Sequence, residues 1–255
     1  MAAGYPSHEA LGKKLRTDRT TITKIETGER PPNAALLTAW LDVCGVTGQL
    51  RAVFEGMGVL ARAREDPGRA RVAPWFETEA KAHSLRYWAP LIVPGLIQTA
   101  AYARELFAAM GLDEGTGAEF LDIRMGRQAI ITRAAAPDIT VVMWEHVLHH
   151  QIGTREVMRD QLARLVELSS QSNMMIHVLP ARLGANAGLG GAINLAATDD
   201  APELLLSDAL VEDQLSQDPA MVRKARATFN SVRDGALNRA DSRKVLMEAS
   251  KVWSH

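Results

Sequence analysis

The residues of the chain best suited to chemistry at a surface are Arg19, Thr20, Thr23 and Lys24, in the stretch "RTTITKIE". They are interleaved with Ile22 and Ile25 at helical spacing, so burying the two isoleucines turns two cations and two hydroxyls outward. Short hydroxyl side chains let a helix backbone come close to a partner. Arg or Lys beside them can reach guanine edges or phosphates, which is what a helix lying in the major groove of DNA requires. A solvated helix face has the same composition, and the pattern by itself admits both readings.

The elements around this stretch position it. "SHEALGKKL" reads as a short helix with Ser7 as its cap and Leu11 and Leu15 on one face. "RTD" turns, Asp18 caps the next helix, and Gly28 stops it. Gly12 lets the first helix approach the second closely. "NAALLTAWLDVCGV" follows as a helix capped by Asn33 and ending near Gly45, and "TGQLRAVFEGMGVLARAR" restarts one with Thr47 as cap.

Composition limits what this patch can belong to. The 255 residues are 47% hydrophobic and 23% charged with a formal net charge of -1, an ordinary globular balance with room for a small domain and a larger one. With so little net charge, contact with nucleic acid must come from a local patch. No run of eighteen apolar residues occurs and "MAAGYPSHEALGKK" has no apolar signal core, which predicts a cytoplasmic chain with no membrane partner. The single Cys44, in "AWLDVCGV", is expected to be a buried core thiol.

Pro67, Gly68 and Pro74 break the charge-rich "LARAREDPGRARVAPW". The expected organisation is a mainly α helix-turn-helix domain over 1–60, a linker over 61–75, and an α+β domain over 76–255. In the larger domain, "VPGLIQTAAYARELFAAMG" reads as a helix with Pro94 at its opening and Leu96, Ala100, Ala103 and Phe107 at helical spacing. "GAEFLDIRMGRQAIITRA" is a second amphipathic helix. "DITVVMWEHVL", "MMIHVLP", "GAINLAA" and "PELLLSDAL" read as strands. "TREVMRDQLARLVELSS", "PAMVRKARATFNSVRDGAL" and "DSRKVLMEASKVW" read as helices.

Other residues carry weaker chemistry. Glu145, His146, His149 and His150 in "EHVLHHQIG" would suit a metal, but the segment leaves a strand for a loop and lacks ligand spacing on defined elements. "GANAGLGGAINL" lacks the order of a phosphate loop, since its glycines precede a strand and no Lys-Ser/Thr pair follows. No nucleophile elbow or paired carboxylates stand out, so no catalytic residue, metal or cofactor is assigned and an enzyme is the less favoured reading. Tyr87, Trp88 and Trp144, with Trp75 and Phe76 nearby, could line a ligand pocket or simply form core.

"HEALGKKLRTDRTTITKIETGERPP" resembles the helix-turn-helix of the XRE (xenobiotic response element) regulators, with Ile22, Ile25, Glu26, Gly28 and Pro31-Pro32 in the family pattern. "SLRYWAPLIVPGLIQTAAYARELF", Ser84 to Phe107, looks like the opening of the large C-terminal domain of antitoxin-like actinobacterial regulators. Two departures accompany the resemblance. Family members have a further helix of about three turns before the equivalent of Ser7, where this chain has only "MAAGYP". Arg16 stands at a turn position where the family usually has Gly, and a left-handed backbone there would cost roughly 1 kcal/mol.

The resemblance implies a homodimeric transcriptional regulator that reads a double-stranded DNA operator with Arg19, Thr20, Thr23 and Lys24. Its larger domain would bind a small partner protein encoded nearby or a small-molecule effector. The alternative is a repurposed relative that has lost DNA binding and whose larger domain binds or transforms a small molecule, in secondary metabolism for example.

Overall fold

The computed structural model of the chain describes residues 7–29, 31–48, 50, 51, 54, 57, 67–207 and 214–253. The chain divides into two compact units, Met1–Ala73 and Pro74–His255.

In the first unit, three helices each begin at a side-chain cap. Helix α1 spans His8–Leu15, and the Ser7 hydroxyl accepts the Ala10 N–H at 3.2 Å. Helix α2 spans Arg19–Glu26, and the Asp18 carboxylate accepts the Thr21 N–H at 2.7 Å. Helix α3 spans Ala34–Val43, and Asn33 accepts the Leu36 N–H at 2.8 Å. Each cap satisfies one of the amides that a helix start leaves without an intrahelical partner. Leu11, Leu15 and Ile22 form the core, with Leu36, Ala39, Trp40 and Val43 packed against it. Ile25 is only half-buried, and so is Cys44, which lies just past the end of α3 and not in the core expected for it. Most of the expected helix restarting at Thr47 lies outside the described residues.

The expected linker over 61–75 is helical from Pro67 on, within α4 (Pro67–Lys81), and its first six residues lie outside the described ones. Proline suits the first helical position because that N–H has no intrahelical partner.

The second unit is built on a six-stranded mixed sheet. Its strands are β1 (Ser84–Ala89), β2 (Asp138–Trp144), β3 (Met174–Leu179), β4 (Ile193–Ala197), β5 (Leu204–Ser207) and β6 (Gln214–Ser216), in the order β3-β2-β1-β4-β5-β6. Strands β1, β2 and β3 are parallel, and the remaining pairings are antiparallel. Parallel neighbours need crossover connections. These are α5 (Ala100–Ala109) with α6 (Glu114–Arg127) between β1 and β2, and α7 (Arg155–Leu168) between β2 and β3. The α+β expectation holds, and the four expected strands are β2 to β5.

Two further helices, α8 (Pro219–Gly235) and α9 (Arg239–Val252), complete the unit. Val222, Ala225, Phe229 and Val232 of α8 pack on Trp88, Val142, Ile193, Leu195 and Leu205 of the sheet. The connection into α9 occupies the outer edge of β3. The Leu237 N–H donates to Val178 O at 2.9 Å, and the Val178 N–H donates to Ser242 Oγ at 3.0 Å. An open row of strand amides is thereby closed at these positions.

Helix α5 starts later than its apolar spacing suggests. Thr99 caps it by accepting the Tyr102 N–H at 3.3 Å, and Leu96 sits in a separate 3-10 turn, Gly95–Ile97. The extended Gln98 parts the two, so Pro94 opens the short turn and not the helix.

Candidate nucleic-acid interface

Helices α1 and α2 are joined by the three residues Arg16, Thr17 and Asp18. The turn is tight for a local reason. Arg16 has φ 55 and ψ 42, in the left-handed region, and is the one non-glycine residue with positive φ among the described residues. The Thr17 N–H then reaches Gly12 O at 2.9 Å and the Arg16 N–H reaches Lys13 O at 3.4 Å, the double closure of a helix end. A Cβ on Gly12 would stand 2.8 Å from Thr17 O, so only glycine lets the turn fold back on α1. Glycine at 12 therefore serves the approach of the turn leading into α2.

Ile22 is fully buried, and Arg19, Thr20 and Lys24 are exposed on α2, as the helical spacing predicts. Thr23 differs. It is half-buried, its hydroxyl donates to Arg19 O at 3.0 Å, and it lies 3.1 Å from His8 Nδ1 on α1. The other ring nitrogen of His8 is 2.6 Å from Glu26 Oε2. Thr23 thus faces α1 and not outward with the other three, because a histidine on α1 competes successfully for its hydroxyl. Neither His8 nor Glu26 is flagged by local spacing, since the two lie on different helices.

Charge on this surface is held by short-range bonds. Hydrogen bonds from the Thr21 backbone and then the Thr21 hydroxyl hold the Asp18 carboxyl below its ordinary range, which keeps the α2 cap ionised. The Glu9 carboxyl is lowered first by its hydrogen bond to Lys13 and then by the Lys13 charge, with Arg19 a smaller contributor. The N-terminus of α2 therefore combines an anionic cap with the exposed Arg19 and Thr20.

The aromatic residues expected near a pocket do not come together. Tyr87 and Trp88 are successive residues of β1 and point to opposite faces of the sheet. The Tyr87 hydroxyl donates to Glu79 at 2.7 Å and its ring meets Trp75 edge-on. Trp88 and the partly buried Trp144 share the core under α8. Trp88 Nε1 donates to Gly188 O at 2.8 Å, so Gly188 of "GANAGLGGAINL" serves close packing on an indole. In "EHVLHHQIG", Glu145 accepts the Ala181 N–H and the His146 ring lies edge-on to Trp144. Among the described residues no three His, Cys, Asp or Glu side chains converge as metal ligands, and no helix is long and apolar enough to cross a membrane.

Residues 72–248 match a family described as a domain of unknown function (DUF5753). The chain belongs to that family. Residues 2–54 match a helix-turn-helix domain, so the DUF5753 domain follows a unit of the kind that binds double-stranded DNA in regulators. The DUF5753 match takes in the mixed sheet and α5 to α8, while the helix-turn-helix match takes in α1, the Arg16 turn and α2. Among curated proteins and solved structures, no match to this DUF5753 chain is found.

Proposed function

We propose that the protein is a sequence-specific transcriptional regulator of the XRE type, in which α2 reads the major groove of an operator. Arg19 and Lys24 supply the charged contacts and Thr20 a short donor. The observation that carries this reading is the exposure of Arg19, Thr20 and Lys24 on the one helix whose Ile22 is buried against α1, within a segment matched as a helix-turn-helix. Arg19 stands at the first position of α2, where a recognition helix meets base edges, and Lys24 follows about one and a half turns later.

The larger domain, in this reading, supplies dimerisation and the surface for an effector or a small partner protein. Its similarity to antitoxin-like actinobacterial regulators supports that division of labour. A homodimer would read a pseudo-palindromic operator, because two-fold protein symmetry requires two related half-sites.

The test is a titration of the full chain against the DNA upstream of its own coding sequence, at two salt concentrations, for wild type and Arg19→Ala. Wild-type binding is expected to fall steeply with salt as phosphates are neutralised and counterions released. Arg19→Ala is expected to cost roughly 1 to 3 kcal/mol and to relax preference at one base pair. No binding by the wild type, or equal binding to unrelated duplexes, would overturn the proposal.

A further inference from the structure

We infer that His8 clamps α1 to α2 through Thr23 and Glu26, so that Thr23 orients the reading helix and takes no part in reading bases itself. The inference rests on the DNA-reading function proposed above. It also divides the four outward residues expected from spacing into three readers and one positioning residue.

The Thr23 hydroxyl has one hydrogen, which goes to Arg19 O at 3.0 Å. His8 Nδ1, 3.1 Å from the same oxygen, then fits as a donor to it. His8 Nε2 lies 2.6 Å from a carboxylate oxygen of Glu26, which only accepts. With a hydrogen on each ring nitrogen, all three bonds are satisfied at once. With its hydrogen committed, Thr23 has none to offer to a guanine or thymine edge.

Helices α1 and α2 are fixed to each other at one end by the Arg16–Asp18 turn. His8 is the first residue of α1 and Glu26 the last of α2, so their contact ties the opposite ends. Besides that turn, the two short helices meet through the packing of Leu11 and Leu15 on Ile22, which has no directional bond to fix their angle. A second tie at the far ends sets it, and with it the direction in which Arg19, Thr20 and Lys24 project. The charged groups around the clamp leave Glu26 as its counter-ion: Glu9 on α1 is paired with Lys13, and the one titratable side chain of α3, Asp42, is paired with Arg51.

The experiment uses the full chain and a panel of upstream duplexes, each altered at a single base pair. Binding is measured for wild type, His8→Ala, His8→Gln, Thr23→Val and the His8→Ala/Thr23→Val double variant. Loss of one net hydrogen bond predicts about fivefold weaker binding for Thr23→Val, and His8→Ala, which also loses the Glu26 contact, should weaken binding at least as much, each by the same factor on every duplex. The double variant should bind no more than about twofold worse than His8→Ala alone, because the Thr23 contact is already lost there. His8→Gln retains a donor for Glu26 and should recover part of the loss. A change of preference at one base pair in Thr23→Val, or multiplying losses in the double variant, would overturn the clamp.

A second readout needs no DNA. In long-range proton-nitrogen NMR spectra, both His8 ring nitrogens should carry protons in the wild type, and Thr23→Val should remove the Nδ1–H signal. If the wild type binds none of the duplexes, the DNA-reading function fails, and this spectrum alone decides the clamp. A singly protonated ring unaffected by Thr23→Val rejects it.

Discussion

Glu79 and Arg127 form a bidentate ion pair inside the second unit, with Arg127 Nε and one terminal nitrogen each 2.7 Å from a Glu79 carboxylate oxygen. The Glu79 side chain is 1% exposed and that of Arg127 18%. The same carboxylate accepts the Tyr87 hydroxyl at 2.7 Å and the Trp75 indole N–H at 3.3 Å, while the Arg127 guanidinium lies 4.4 Å from the centre of the Phe76 ring. One carboxylate thus joins α4, β1 and α6. Burial alone would lower the Arg127 guanidinium, and the charge and hydrogen bonds of Glu79 raise it. Burial, and then the Glu79 charge, pushes the Tyr87 phenol well above its ordinary value.

Removing the carboxylate strands every partner at once. Glu79→Ala should cost roughly 3 kcal/mol, because it leaves a largely buried guanidinium without its counter-ion. Glu79→Leu combined with Arg127→Met should cost less than Glu79→Ala alone. Urea unfolding of the three proteins measures this, and a loss under about 1 kcal/mol for Glu79→Ala would contradict the pairing. The raised phenol adds a pH dependence. Its contribution to stability is whole below the ordinary tyrosine value and is lost as pH rises from there through the folded value.

Gly188 leaves no room for a side chain beside Trp88. A Cβ built on Gly188 would stand 2.3 Å from Trp88 Nε1, and Trp88 is fully buried under α8, with Phe229 in the same core. The indole cannot retreat without disturbing that core. Gly188→Ala should therefore destabilise the chain by roughly 1 to 3 kcal/mol and break the bond from Trp88 Nε1 to Gly188 O. Gly190→Ala is the control, because its Cβ would meet nothing within 4 Å. Thermal unfolding followed by tryptophan fluorescence compares the two, and equal midpoints would refute the packing argument.

Local rules made the caps and most strands legible. Ser7, Asp18 and Asn33 are caps by residue type, and β2 to β5 announce themselves as apolar runs bounded by turn residues. Strand β1 does not, because Arg86 stands within it. Its charge is answered by Glu203, 117 positions away, at 3.0 Å. Strand β6 is three residues long, "QLS", too short for alternation to register. The candidate site was legible to the same extent. Ile22 and Gly12 reveal the packing and the turn, but the partner of Thr23 sits on another helix, 15 positions away. Periodicity within one helix carries no information about which of its polar residues a neighbouring helix will claim.

The turn into α2 rests on a left-handed residue. Arg16 holds φ 55, where its Cβ crowds the backbone and where glycine bears no such cost. Arg16→Gly relieves about 1 to 2 kcal/mol of that crowding but restores freedom to the unfolded chain, which offsets up to about 1 kcal/mol. The net expectation is a gain of about 1 kcal/mol, read as slower amide exchange in α1 and α2. Arg16→Asn should gain part of it, since asparagine tolerates this backbone better than arginine. Arg16→Ala supplies the contrast: it removes the same charge and keeps the Cβ, so it should gain nothing. If Ala stabilises the helices as much as Gly does, the effect belongs to the charge among Lys13, Lys14 and Arg19, and the conformational argument fails. If Gly alone stabilises, the left-handed turn at Arg16 is a strained point in the support of α2.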